Sequence, residues 1–395
     1  MIEFPKEFLW GAATSAYQVE GNNVSSDWWE WEKGVHLKDL SGLASRHYEF
    51  YARDFDLAKE LNHNCHRLSI EWARVEPEEG KFSHQELEHY RLVILALKER
   101  GLKPIVTLHH FTNPIWFAKL GAWRNKKADK YFLRYVEKVV SLLAADVPFW
   151  VTINEPNVYA YHSYLLGLWP PQDKSLFKVR QVTRSLINAH IQAYRLIRAI
   201  YKKNNLAYPK ISIAQNMQAF VVRAPSLGNK IAAYLKHKFY NLEFIEKLIR
   251  HQAIDFIGVN YYSPNWVGRE SGKNNQRVLR KNSMGWDIYP QGLYDLLMSL
   301  KIYNLPVFIL ENGICTDNDA LRWDYIKEHL ESVNRAMQQG VKVLGYVYWS
   351  LLDNFEWDKG FGPRFGLVEV DYHTYQRTIR ESARKFSAVC LSNKL

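Results

Sequence analysis

The chain has 395 residues, enough for one large barrel or two ordinary domains. Hydrophobic residues at 47% and charged residues at 24% exclude a disordered polymer, and no apolar run reaches the ~20 residues that cross a bilayer. The net charge of +11 is local: 15 Lys and Arg lie between Lys174 and Arg250 against only Glu243 and Glu246, and the remainder is near balance.

The basic stretch carries no nucleic-acid motif and reads as solvated helix faces, so no nucleic-acid partner is expected. The opening Met1-Ile2-Glu3-Phe4-Pro5-Lys6-Glu7 has neither a basic nor an apolar leader region, and no secretory signal is expected. Cys65, Cys315 and Cys390 are scattered and odd in number, which argues against a disulfide framework and for the reducing cytoplasm.

From end to end, apolar strand-like runs alternate with amphipathic helical ones. Strands are predicted near Phe8–Thr14, His66–Trp72, Pro104–His110, Phe149–Asn154, Lys210–Asn216, Asp255–Tyr261, Pro306–Glu311 and Val343–Trp349. Helices fall between them, among them Gln85–Arg100, Lys130–Ala145, Val179–Lys203, Gln291–Leu300 and Asp324–Gln339, with a last one near Thr378–Cys390. Eight strands, each followed by a helix, give the expected fold class: α/β, a single-domain (β/α)8 TIM barrel over residues 1–395.

In such a barrel the groups at the C-terminal tips of the strands face the ligand. The fourth strand ends in Asn154-Glu155 and the seventh in Glu311-Asn312; other tips carry Gln18, Arg67, His110, Phe111, Asn260, Tyr262 and Trp349, and Glu356 and Trp357 follow the eighth strand. Amides, carboxylates, imidazoles and rings at every tip suit a polyhydroxylated ligand. Two carboxylates about 5 Å apart, one ionised and one protonated, are what a retaining glycosidase needs. Arg67 would keep one of them charged, Tyr262 would donate to the same group, and Asn154 would hold a sugar hydroxyl. A plain ion pair for Arg67 and ordinary core packing for Trp349 and Trp357 are the competing readings. His109 and His110 point to opposite faces of a strand, so only one enters the mouth, and neither they nor His63, Cys65 and His66 have a third ligand at zinc spacing. No metal and no cofactor are expected.

The sequence resembles glycoside hydrolase family 1, the retaining β-glycosidases, over nearly its whole length. The resemblance rests on Phe8-Leu9-Trp10-Gly11-Ala12-Ala13-Thr14-Ser15-Ala16-Tyr17-Gln18-Val19-Glu20-Gly21, Asn154-Glu155-Pro156, Glu311-Asn312-Gly313, Trp349-Ser350-Leu351-Leu352-Asp353-Asn354-Phe355-Glu356-Trp357 and Arg364-Phe365-Gly366-Leu367-Val368. It implies that Glu155 is the acid/base and Glu311 the nucleophile. Gln18, His110, Asn154, Glu356 and Trp357 would bind the sugar, Trp349 would form its floor and Phe365 its wall, and Arg67 and Tyr262 would orient Glu311. Asn260 and Phe111 are added as substrate contacts.

The implied partner is a terminal, unphosphorylated β-glucosyl, β-galactosyl or β-fucosyl residue, since a carboxylate at Glu356 repels a phosphate. Transglycosylation, glycolipid hydrolysis at a membrane and a non-catalytic sugar-binding barrel are the alternatives. Three departures from the family pattern touch the leaving-group side: Phe111 in place of tryptophan, Asn157 in place of an aromatic, and a shortened segment between Asn216 and Asp255. Within that segment Ile231, Tyr234, Leu235, Lys238, Phe239 and Leu242 fall at helical spacing. A membrane-surface helix fits this pattern. An outer barrel helix docked by its apolar stripe fits it too and is the expectation.

Overall fold

The computed structural model describes residues 2–35, 37–223, 226–268 and 279–395. The eight barrel strands are Leu9–Ala13, Cys65–Ser69, Lys103–Thr107, Phe149–Asn154, Lys210–Asn216, Ile257–Tyr261, Val307–Asn312 and Val343–Trp349. All neighbouring pairs are parallel, and the first strand closes on the eighth through Leu9↔Gly345 to Ala13↔Trp349.

The runs are apolar on both faces because both faces are covered. Inside, Leu9, Cys65, Ile105, Val151, Phe256, Phe308 and Val347 pack together, and the rings of Phe149, Phe256 and Phe308 stand 5.6–6.1 Å apart. Outside, residues such as Trp150, Ile211, Val259 and Ile309 pack within the larger core that includes the helices. Helix Ala128–Leu143 shows how the sequence chooses its face: Phe132, Tyr135, Val136, Val139, Val140 and Leu143 recur at helical spacing, and all are buried.

The two strands that deliver carboxylates share an irregularity. From Val151 to Asn154 the fourth strand spends three steps against two, Ser212 to Ala214, on its neighbour. On the seventh strand Ile309 to Glu311 spans two steps against one, Val259 to Asn260. An extra residue breaks strict alternation and re-aims the side chains beyond it. Phe308 and Leu310 are interior, Glu311 enters the barrel mouth, and Asn312 turns outward to Tyr325 and Tyr346.

Several boundaries differ from the sequence reading. The second strand stops at Ser69 because Glu71 caps the short helix Trp72–Val75, its carboxylate accepting from Ala73 N at 3.2 Å. The last helix is Glu381–Ser392, not Thr378–Cys390, because Arg377–Ile379 pairs with Val368–Val370 in a hairpin. A second small sheet, Ala219–Val222 beside Pro264–Val267, extends the fifth and sixth strands above the barrel. The helix Leu227–Lys236 overturns an expectation. Its apolar stripe is not docked: Ile231, Tyr234, Leu235 and, just beyond it, Phe239 are exposed, and only Ala233 within the helix and Leu242 after it are buried.

Candidate active site

Glu155 ends the fourth strand and begins the helix Pro156–Tyr164. Its backbone is left-handed, at φ 40°, a costly conformation for a residue with a side chain. Its surroundings hold it there: the N–H donates to Ala214 O at 2.7 Å, and Oε1 accepts from Asn216 Nδ2 at 2.9 Å and Asn260 Nδ2 at 3.0 Å. Burial, followed by the charge of Glu311, pushes Glu155 up to about 8, and the two amide donors and Arg67 pull downward without prevailing. Glu155 is therefore protonated at neutral pH.

Glu311 sits in the opposite kind of environment. Oε1 accepts from Arg67 Nη1 at 2.5 Å and Oε2 from the Tyr262 hydroxyl at 2.5 Å. Arg67 meets this carboxylate with a planar, five-donor guanidinium. Its other donors are fixed, with Nη2 on Asn154 Oδ1 at 2.6 Å and Nε on Thr107 Oγ1 at 3.1 Å. One buried guanidinium thus ties the nucleophile candidate to the amide beside the acid candidate.

The Glu311-Asn312-Gly313 triplet now has a reason at each position. Asn312 donates to Tyr261 O at 2.6 Å and Tyr325 OH at 2.8 Å and accepts from Tyr346 OH at 2.7 Å, pinning the strand end. A Cβ at Gly313 would lie 1.8 Å from the Trp349 carbonyl oxygen, so only glycine lets the seventh and eighth strand ends approach.

Around the carboxylates lies a cavity of about 350 Å³. Of the residues singled out from the sequence, Gln18, His110, Phe111, Asn154, Glu155, Tyr262, Glu311, Trp349, Glu356, Trp357 and Phe365 all line it. Arg67 lies behind Glu311. Asn260, expected as a substrate contact, is fully buried behind Glu155 and donates to Glu155 and, at 3.2 Å, to Asn154; it supports the carboxylate and does not line the cavity.

His109 and His110 part company as the strand geometry requires. His109 pairs with Asn113 Oδ1 at 3.1 Å away from the mouth, whereas His110 meets Asn154 Nδ2 at 3.1 Å. Burial, then Arg67, holds His110 well below the usual imidazole range, so it is neutral. Among the described residues no three His, Cys, Asp or Glu side chains converge as a metal site.

The rings are mutually fixed. Trp357 stacks on Tyr17 at 5.8 Å and lies 17° from the plane of His110 at 6.0 Å, while Phe111 meets Trp357 at 5.1 Å. Phe111 and Trp357 both have left-handed backbones, φ 71° and 51°. Gln18 is held on both sides: Oε1 accepts from Ser15 Oγ at 2.7 Å, and Nε2 lies 3.0 Å from Asn354 Oδ1 and 3.3 Å from Glu356 Oε2. Burial and the charge of Glu311 push Glu356 up to about 8. That weakens the expected phosphate repulsion near neutral pH, where Glu356 is largely protonated.

The site also uses residues that the sequence did not single out. Trp169, Met217, Gln218, Tyr240, Met284, Trp286 and Asp358 line the cavity, mostly from loops without a periodic signal. Asn216 had one, as a strand tip, and its role is to hold Glu155; Tyr240 OH donates to Asn216 Oδ1 at 3.1 Å. Asn157, in the place of an aromatic, donates to the carbonyls of Asn216 and Tyr240 at 2.9 and 3.3 Å, joining the helix after Glu155 to the turn above it.

A closed parallel (β/α)8 barrel with two unlike carboxylates in an amide- and ring-lined mouth defines an O-glycosyl hydrolase. The model of glycosyl hydrolase family 1 matches residues 1–250 and 229–395, and the chain belongs to that family. It is 34% identical to β-glucosidase A of Acetivibrio thermocellus, covering 99% of both chains. It is 32% identical to a 1,4-β-D-glucan glucohydrolase of Thermotoga neapolitana over the full length of both. The solved β-glycosidase from Pyrococcus horikoshii superposes with a TM-score of 0.92 at 39% identity, covering 100% of this chain and 96% of that one.

Proposed function

We propose that this retaining exo-β-glycosidase uses Glu311 as nucleophile and Glu155 as acid/base. Glu311 attacks the anomeric carbon while protonated Glu155 gives its proton to the leaving oxygen; the bond to the aglycone breaks and a glycosyl ester forms. Glu155, now a carboxylate, takes a proton from water, whose oxygen displaces Glu311 and releases the sugar.

One observation carries this reading. Two glutamates share a cavity but differ in surroundings, Glu311 against Arg67 and Tyr262, and Glu155 against two neutral amides with its carboxyl raised to about 8. Arg67 and Tyr262 orient and charge-balance the nucleophile, and Asn154 holds the sugar hydroxyl next to the reacting carbon. Gln18, His110, Glu356 and Trp357 bind the remaining hydroxyls over the floor of Trp349, with Phe111 and Phe365 as walls.

The sugar is a terminal β-glucosyl, β-galactosyl or β-fucosyl residue, because Gln18 and Glu356 offer both donor and acceptor to either epimer at O4. Residues 1–395 act as one catalytic domain, and three unpaired, buried cysteines fit work in the cytoplasm. The deciding experiment is a panel of nitrophenyl β-glycosides with Glu311→Ala as control. Hydrolysis of an unphosphorylated member that vanishes in the variant supports the reading, and silence across the panel from folded protein contradicts it.

A further inference from the structure

The turn after the third strand brings His110 and Phe111 to the cavity, and it is gripped by residues that do not line that cavity. Phe111 has a left-handed backbone at φ 71°, which a residue with a side chain keeps only where its surroundings impose it. Two buried carboxylates hold the next two residues. Thr112 Oγ1 donates to Glu71, 3.0 and 2.9 Å from its two oxygens. Asp27 closes a three-bond clamp on Asn113. Its Oδ1 accepts from Asn113 N at 2.9 Å, its Oδ2 accepts from Asn113 Nδ2 at 2.8 Å, and its own N–H donates to Asn113 O at 2.8 Å.

Asn113 is fully buried and joins the turn to its neighbours. Its Oδ1 accepts from Trp123 Nε1 at 3.1 Å, and its Nδ2 lies 3.1 Å from the Tyr159 hydroxyl, on the helix that begins at Pro156. Asp27 opens the helix Asp27–Gly34, and the next residue, Trp28, packs 4.7 Å from Trp357 and 5.4 Å from Trp169. Phe111 meets the same two rings at 5.1 and 5.0 Å. This helix therefore backs both the turn and the rings in front of it. The donors to the Asp27 carboxylate are neutral N–H groups, and a buried charge without a counter-charge costs stability. What the carboxylate supplies in return is two acceptors on one short side chain, which an amide cannot match.

We propose that Asp27 is a positioning residue for glycoside binding: by accepting two hydrogen bonds from Asn113 it fixes the turn that presents His110 and Phe111 to the sugar. The inference rests on the β-glycosidase reading, in which those two side chains meet the sugar. Opening the clamp frees Asn113 and lets Phe111 leave its left-handed backbone, so both groups shift off the sugar. Glu155 and Glu311 keep their own partners meanwhile. The sugar is then held less tightly before and during the reaction alike, and the loss falls on KM rather than kcat.

The test is steady-state hydrolysis of a nitrophenyl β-glycoside of the preferred sugar, with the free sugar as competitive inhibitor. It is run on the alkaline side of about 7, the value to which burial pushes the Asp27 carboxyl. The proteins are wild type, Asp27→Asn, Asp27→Ser and the swap Asp27→Asn/Asn113→Asp. Asp27→Asn keeps the shape but sets an amide N–H against one of the two Asn113 donors, and Asp27→Ser removes the paired acceptors. The swap again faces donor with acceptor, and the new carboxylate keeps an oxygen for Trp123 Nε1. In Asp27→Asn, KM and the inhibition constant should both rise about tenfold with kcat within about twofold of wild type. Asp27→Ser should move both constants the same way, and the swap should recover most of the loss. A role in folding alone would lower the active fraction, and so kcat, and leave both constants unmoved. That result, or a rise in KM that the folded swap does not recover, overturns the proposal and leaves the glycosidase reading intact. No hydrolysis by wild type overturns that reading first.

Discussion

Replacing Glu155 with glutamine should make the protein more stable, and increasingly so as pH rises. The carboxyl is buried and raised from 4.5 to about 8, so the folded state holds its proton more tightly than the unfolded chain does. The stability of the wild type is therefore full below about pH 4.5 and declines as pH climbs to about 8. Each pH step through that window costs about 1.4 kcal/mol, on the order of 5 kcal/mol in all if no other group relaxes.

Glutamine is neutral at every pH and keeps an oxygen for the Asn216 and Asn260 donors that now meet Oε1. For a chain of this size, about 1 °C of melting temperature accompanies each kcal/mol. Thermal melts at pH 5 and pH 8 should show the variant close to wild type at the lower value and roughly 5 °C above it at the higher. Equal melting at pH 8, or a gain that is the same at both values, would refute the buried, proton-holding role of this carboxyl.

Other consequences come from the same contacts. In wild type, kcat/KM should fall as pH passes about 8 and Glu155 loses the proton it must donate. Asn216→Ala removes a donor that favours the charged form, so that limb should move upward by about one pH unit, read from a pH–rate profile. Tyr262→Phe deletes one hydrogen bond to the Glu311 carboxylate and should lower kcat about 10- to 100-fold with little change in fold, checked by steady-state kinetics and circular dichroism. Hydrolysis of a 6-phosphoglucoside should fall further behind the glucoside as pH rises past about 8, because Glu356 gains its charge there; a gap that narrows would contradict it.

Much of the fold and the site is legible in the chain because the strands are apolar on both faces and end abruptly in polar groups. Val307–Asn312 is the clearest case, four apolar residues delivering Glu311. The eight-strand count and the cluster of His110, Asn154 and Trp349 come from such endings, and Gln18 and Glu356 from the segments that follow the first and eighth strands. What alternation cannot show is the extra residue in the fourth and seventh strands, since a bulge is a relation between neighbours and leaves no mark on one strand.

Asn260 reads as a ligand contact for the same reason: its tip position is visible in the sequence, but its burial behind Glu155 is not. Trp169 and Trp286 come from irregular segments, where no period places a side chain. The helix Leu227–Lys236 misleads in a different way. Its apolar spacing is real, but spacing cannot say whether a stripe faces the barrel or the solvent.

Incubation with a 2-deoxy-2-fluoro-β-glycoside bearing a good leaving group, followed by peptide mass analysis, tests the division of labour between the two carboxylates most directly. The fluorine slows the second displacement, so the glycosyl ester accumulates on whichever residue attacks. The expected result is one sugar on the peptide containing Glu311. A sugar on Glu155, or none on an enzyme that turns over the parent glycoside, would contradict the assignment.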